Sequence, residues 1–216
     1  MHFGRRLRPL ARRIATDAVH AGWERACLWG ALGPDHPRAQ RFGAFGPGSF
    51  LAFPPGAVFN ERFIRIGADV MIGPSVSLSA GMMPGQEMVT DTVVAIGDRC
   101  LIGRGSHIVG HFCIDIGDDV YTGPYVYITD QNHGYRDLGM PIGAQLPVEE
   151  SVSIGAGSWL GTGVIVLPGA RIGRHVVVGA GSVVTGELPD YCVAAGAPAR
   201  AVRLYTAEGE WSRPSV

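Results

Sequence analysis

Three of the seven histidines, His107, His111 and His133, fall within a short stretch of the chain. A neutral imidazole can take a proton from an attacking hydroxyl or amine near physiological pH, and three imidazoles that converge can hold zinc. His133 stands apart from the other two. It follows Asn132 at the point where a regular pattern stops and a patternless stretch, residues 131–151, begins. A general base also needs an acceptor for its second ring nitrogen. Asp130, Glu149 and Glu150 are the nearby acids, and a backbone carbonyl would serve as well. Tyr135, Arg136 and Asp137 follow within the same loop, within reach of a substrate held beside His133.

The elements that must position these groups come from a six-residue beat. An aliphatic residue precedes a small one at Ile66-Gly67, Ile72-Gly73, Ile96-Gly97, Ile102-Gly103, Ile116-Gly117, Ile154-Gly155, Leu160-Gly161, Ile172-Gly173 and Val178-Gly179. Four residues after these aliphatics stand Val70, Val76, Cys100, Ser106, Val120, Ser158, Val164, Val176 and Ser182. Such hexads are the mark of a parallel β-helix, an all-β solenoid whose short strands depend on neighbouring coils. Three hexads make one triangular coil, with the aliphatics turned inward. The beat runs 66, 72, 78 and then 96, 102, 108, 114, so the 18-residue step across Gly81-Met82-Met83-Pro84-Gly85 keeps the frame. A slip of two falls between Ile114 and Ile116, and the beat resumes at 154 after the excursion. On this count His107 and His133 are placed on adjacent faces of one prism.

The flanks read differently. Residues 1–33 form an N-terminal helical cap, with helix over 5–32 and Leu7, Leu10, Ile14, Ala18, Ala21, Arg25 and Leu28 on one face before Gly33-Pro34. That face either caps the solenoid or lies on an anionic membrane surface, given Arg5, Arg6, Arg8, Arg12 and Arg13. Residues 34–65 are an irregular lead-in, 66–203 the solenoid, and 204–216 a tail without pattern, expected to be partly disordered. A net charge of −1 gives no general pull toward nucleic acid. Cys27, Cys100, Cys113 and Cys192 lie far apart with no C-x-x-C pair, which points to a reducing cytoplasm rather than a disulfide framework. No apolar run reaches membrane-spanning length, and no apolar stretch follows the N-terminal arginines as in a signal peptide.

Over residues 60–203 the chain resembles the hexapeptide-repeat acyltransferases, and within them the maltose/galactoside O-acetyltransferase group. Three motifs carry the likeness: Ile116-Gly117-Asp118-Asp119-Val120-Tyr121-Thr122-Gly123-Pro124 leading to Asn132-His133; Gly157-Ser158-Trp159-Leu160-Gly161-Thr162-Gly163; and Gly179-Ala180-Gly181-Ser182-Val183-Val184-Thr185 followed by Ala195-Gly196-Ala197-Pro198-Ala199-Arg200. The resemblance implies a left-handed coil and a homotrimer with active sites between subunits. It implies acetyl-CoA or another acyl-CoA as co-substrate, with no tightly bound cofactor and no metal. It makes His133 the catalytic base. Trp159, Gly161 and Thr162 would line the pantetheine arm, Ala180 and Thr185 would give backbone and hydroxyl contacts nearer the nucleotide, and Arg200 and Arg203 would meet the CoA phosphates. Two departures stand out. Gly186 replaces a basic residue common in the family, and Gly103 and His111 stand where galactoside-type enzymes present an Asn and an Asp to the sugar. Acceptor contacts therefore fall to His107, His111, Asn132, Asp130 and Tyr135.

The function expected is acyl-CoA-dependent acyl transfer, acetyl in the first instance, to a hydroxyl of a carbohydrate or another small acceptor, with an amine acceptor as a variant. Two other classes share the hexad: a γ-carbonic-anhydrase-like zinc enzyme using His107, His111 and His133, and a CoA-binding solenoid without catalysis.

Overall fold

Six-residue spacing gives three flat sides. The computed structural model describes residues 4–214, with side chains from residue 11 onward. Its strands stack into three parallel sheets, the faces of a triangular prism. The first face stacks Ala44–Phe45, Ile64–Ile66, Val94–Ile96, Ile114–Ile116, Val152–Ile154, Arg171–Ile172 and Glu187–Leu188. The second stacks Phe50–Leu51, Met71–Ile72, Leu101–Ile102, Tyr121–Thr122, Trp159–Leu160, Val177–Val178 and Cys192–Gly196. The third stacks Val58–Phe59, Ser77–Ala80, His107–Gly110, Tyr127–Thr129, Ile165–Val166 and Val183–Val184. The coil winds left-handed, as the resemblance implied.

Inward residues pair rung on rung. Ile66, Ile96, Ile116, Ile154, Ile172 and Leu188 stand in register on the first face, and all are buried. Leu78, Ile108, Ile128, Val166 and Val184 do the same on the third. Burying one such side chain is worth about 1.5–3 kcal/mol, so the stacked columns are the main stabilising term. The corners need small residues because rungs approach closely there. A methyl group on Gly161 would sit 2.7 Å from the backbone nitrogen of Ala180 in the next rung. Buried hydroxyls at the corners are satisfied: Ser158 Oγ donates to the Gly173 carbonyl at 3.0 Å and accepts from the Val176 amide at 3.1 Å.

Four expectations are corrected. First, Ile66 pairs with Ile96, thirty residues on, whereas Ile154 pairs with Ile172, eighteen residues on. The stretch after Ala80 is thus a loop thrown out of the coil, two hexads long, and an insertion of that length leaves the phase unchanged. Second, Ile114 and Ile116 share one strand and both face inward with Asp115 outside. The two-residue slip sits instead at the corner His111-Phe112-Cys113. Third, residues 44–59 already form a complete coil, each strand paired parallel with the next rung. Fourth, the described part of the tail, residues 204–214, carries strand pairing. Ala199–Tyr205 pairs antiparallel with Cys192–Gly196, Trp211–Ser212 pairs with it in turn, and the Tyr205 and Trp211 rings meet edge-on at 5.4 Å.

Helix α1 spans Gly4–Gly30. It does not lay its apolar stripe on the prism. Ile14 is 60% exposed, Leu28 72% and Trp29 75%. The helix meets the body at its C-terminal end, where Gly30 lies against Phe53 and Trp23 approaches the same ring at 6.4 Å. Leu32 then exchanges two backbone hydrogen bonds of 2.9 Å with Leu51. The side chains of Leu7 and Leu10 lie outside those described.

Candidate active site

The excursion leaves the corner between the third and first faces. Tyr127–Thr129 ends the third face, and the chain then turns outward at Asp130. Gln131–Asn132 pairs antiparallel with Val148–Glu149, so the loop departs and returns as a two-stranded stem. Its base is closed by a bond from the Glu150 amide to the Asp130 carbonyl at 2.9 Å. His133 stands at the top of that stem, exposed.

Asp130 is the buried anchor of this corner, with no exposed surface. Its carboxylate accepts the His111 amide on one oxygen at 2.8 Å, and the Phe112 and Cys113 amides on the other at 2.8 and 2.6 Å. These amides belong to the two-residue slip, whose backbone has lost its regular partners. Burial pushes the Asp130 carboxyl above its ordinary value, against the opposing pull of the three amides. Both oxygens thus accept backbone amides of the slip corner.

His111 is likewise engaged. Its Nδ1 contacts the Glu149 carboxylate, and its Nε2 lies 3.1 Å from Gln86 Nε2 on the earlier loop. The ring therefore ties both loops to the corner between them. His107 lies opposite Tyr127 on the third face, exposed. His107 and His133 thus belong to the same side of the prism rather than to adjacent faces, because the chain quits the coil after Thr129. Among the described residues of the single chain no three ligating side chains come together to hold a metal.

Two hollows meet at Asn132 and His133. One, about 630 Å³, is lined by Tyr135, Met140, Leu146, Val148, Glu150 and Pro168, among others. The other, about 350 Å³, is lined by Met82, Val109, Tyr127, Thr129 and Gln131, among others. Gln145 walls both, and its amide ties the loop to itself through the Asp137 and Met140 carbonyls at 2.8 and 3.1 Å. Gln145, Pro168 and Met82 carry no sequence signal, since they meet His133 only through the fold. A count placing residues 81–92 outside the coil would have been the one way to suspect Met82.

The residues assigned to CoA by resemblance are only partly brought together. Gly161 and Thr162 share the corner between the second and third faces with Ala180, one rung on, where the Gly181 amide bonds the Thr162 carbonyl at 2.9 Å. Trp159 precedes them on the second face, 54% exposed. On that face Trp159 aligns with Val177, Val177 with Val193 and Val193 with Arg203, so the indole and the guanidinium-bearing residue share one column. Arg200 lies on the same end strand, its Nη1 bonded to the Ala199 carbonyl at 2.8 Å. Thr185 lies elsewhere: it follows Val183–Val184 at the edge where the excursion emerges. Within one prism, then, His133 and the Gly161–Ala180 corner occupy opposite edges of the third face.

Comparison with known proteins accords with this architecture. Residues 151–186 match the bacterial transferase hexapeptide model (six repeats), and residues 93–129 match the hexapeptide repeat of succinyl-transferase. A Mycobacterium tuberculosis protein named as an acetyltransferase, Rv3034c, is 41% identical over 107 residues, which cover 50% of this chain and 36% of that protein. The chain thus spans about a third of the length of that relative. The Escherichia coli protein WbbJ, named as an O-acetyl transferase of lipopolysaccharide biosynthesis, is 33% identical over 160 residues, 69% of this chain and 82% of its own length. Proteins named galactoside O-acetyltransferase are also matched. Among solved structures, a point mutant of AntD, an N-acyltransferase from Bacillus cereus, in complex with dTDP and coenzyme A, superposes with a TM-score of 0.68 at 18% identity. It covers 82% of this chain and 92% of its own. Repeat, fold and a relative matched over most of its length agree: the chain belongs to the hexapeptide-repeat acyltransferases.

Proposed function

We propose that this protein transfers a short acyl group from acyl-CoA to a hydroxyl of a carbohydrate, with His133 as general base. The observation that carries the proposal is the seat of His133. It tops a braced stem at the meeting point of two hollows, in a family whose relatives are named for acetyl transfer to sugars. In the reaction the imidazole takes the acceptor's proton as its oxygen attacks the thioester carbonyl. A tetrahedral oxyanion forms, collapses, and expels CoA thiolate, which leaves as the thiol once protonated by the imidazolium. No acyl-enzyme is needed. General-base catalysis of this kind supplies about 10²–10⁴-fold.

The pantetheine arm lies along the Gly161, Thr162 and Ala180 corner past Trp159, with Arg200 and Arg203 beyond it toward the CoA phosphates. Since that corner and His133 stand on opposite edges of one face, a working site draws His133 from one subunit and the corner from the next. A homotrimer meets this requirement. An amine acceptor is the variant within the same mechanism. The test is thiol release from acetyl-CoA across a panel of sugars and amino sugars. Release with a sugar hydroxyl supports the proposal. Tight CoA binding with no release across the panel favours the non-catalytic solenoid.

A further inference from the structure

We propose that helix α1 is a surface anchor that lies on an anionic lipid bilayer. The first observation is charge segregation. Five of the 18 basic residues and none of the 19 acidic ones lie in residues 1–16, in a chain whose net charge is −1. The second is the orientation of the apolar stripe. Ile14 and Leu28, with Trp29 beside them, are exposed, and the prism touches the helix near its C-terminal end, through Gly30 and Trp23, without covering the stripe. A helix that buried this stripe against its own body would show these side chains covered. The third is length. No described helix is long and apolar enough to cross a membrane, so α1 is suited to lie in the interface rather than to span it.

An in-plane helix needs an apolar face to enter the acyl boundary, basic groups to meet lipid phosphates, and amphipathic aromatics at the headgroup level. Residues 4–30 supply each: Ile14 and Leu28 on the stripe, Arg12 and Arg13 toward the N-terminal end, and Trp29 near the C-terminal end. Local polybasic charge of this kind acts within a Debye length of an anionic surface and fades with salt. The alternative occupant, a second copy of this chain, explains an exposed stripe but not the arginines gathered at one end.

The experiment is co-sedimentation of the full-length protein with vesicles of phosphatidylcholine alone or of phosphatidylcholine and phosphatidylglycerol in a seven-to-three ratio. Light scattering in the absence of lipid runs in parallel. The expected result is binding to the anionic vesicles at least tenfold stronger than to the neutral ones, weakened by half-molar salt and by Arg12→Glu with Arg13→Glu. Ile14→Asp with Leu28→Asp abolishes it while leaving the circular dichroism spectrum and oligomer mass unchanged, because both side chains are exposed. Absence of binding to anionic vesicles, or binding that survives the Asp pair, overturns the proposal. Loss of oligomer mass on the Asp pair assigns the stripe to a second copy and overturns it too. The readout is lipid binding rather than turnover, so it stands or falls apart from the role of His133.

Discussion

His111 and Glu149 touch across the foot of the excursion, the imidazole Nδ1 against the carboxylate, while Gln131 and Asn132 form the paired strand and His133 follows it. The ring thereby fixes the return limb of the stem, and the return limb fixes the departing one. His111→Ala frees Glu149 and loosens the seat of His133. We expect kcat to fall by about tenfold with KM for acetyl-CoA little changed, since misplacing a catalytic group costs rate more than binding. His111→Gln, which keeps a hydrogen-bonding side chain, recovers part of the loss. Steady-state kinetics on both variants check this.

Asp130 carries the corner itself. Asp130→Ala leaves the amides of His111, Phe112 and Cys113 without an acceptor. At roughly 1–3 kcal/mol for each buried unsatisfied group, the loss is about 3 kcal/mol or more. Asp130→Asn retains one acceptor oxygen and loses less. Urea unfolding midpoints for the three proteins give the order parent, Asn, Ala.

How far the chain announces this arrangement depends on what each position has to do. The columns of Ile, Leu and Val are legible because every coil needs inward aliphatics at fixed spacing. The buried corner positions Val120, Ser158 and Val176 follow from the same rule. Where a segment leaves the coil, phase is the only guide, and phase cannot see a loop of two hexads. That is why residues 81–92 read as coil and nothing points to Met82 beside His133. The slip shows in the sequence but not at its true place, since Ile114 and Ile116 look like two beats and are two inward positions of one strand. Helicity in residues 4–30 is legible from spacing, but spacing does not say which way an apolar stripe turns.

Burial pushes the Cys100 thiol up to about 11, and burial raises Cys192 as well. Both are fully enclosed, whereas Cys27 is half-buried. Only the thiolate reacts with alkylating agents. Iodoacetamide at pH 8 should therefore label Cys27 in the folded protein and reach Cys100 and Cys192 only after denaturation. Peptide mass mapping with and without urea reads the result.

At the corner between the first and second faces, Arg99 forks onto the two oxygens of Asp119 at 2.8 Å through Nε and Nη2, and further along Arg174 donates from Nε and Nη2 to a single oxygen of Asp190 at 3.0 and 2.9 Å. Asp119 is held below its ordinary carboxylate value by the Arg99 hydrogen bonds, and Asp190 chiefly by the Arg174 amide. A carboxylate with a lowered folded-state value binds fewer protons folded than unfolded. Its contribution to stability is present above the unfolded value of 3.8 and is lost as pH falls through the folded one. Thermal melts from pH 7 to pH 3 should show the midpoint falling, with Asp119→Asn giving a shallower fall over the acid range. Both pairs are exposed, so the effect is modest.

The His133 imidazole is the proton acceptor on which the proposed chemistry rests, and a single-turnover comparison of parent and His133→Ala tests it most directly. With acetyl-CoA and a sugar acceptor identified by thiol release, the variant should keep its fold and its CoA affinity while acyl transfer slows by about 10²–10⁴-fold. A variant that is folded, binds CoA and transfers acyl groups at the parental rate would contradict it.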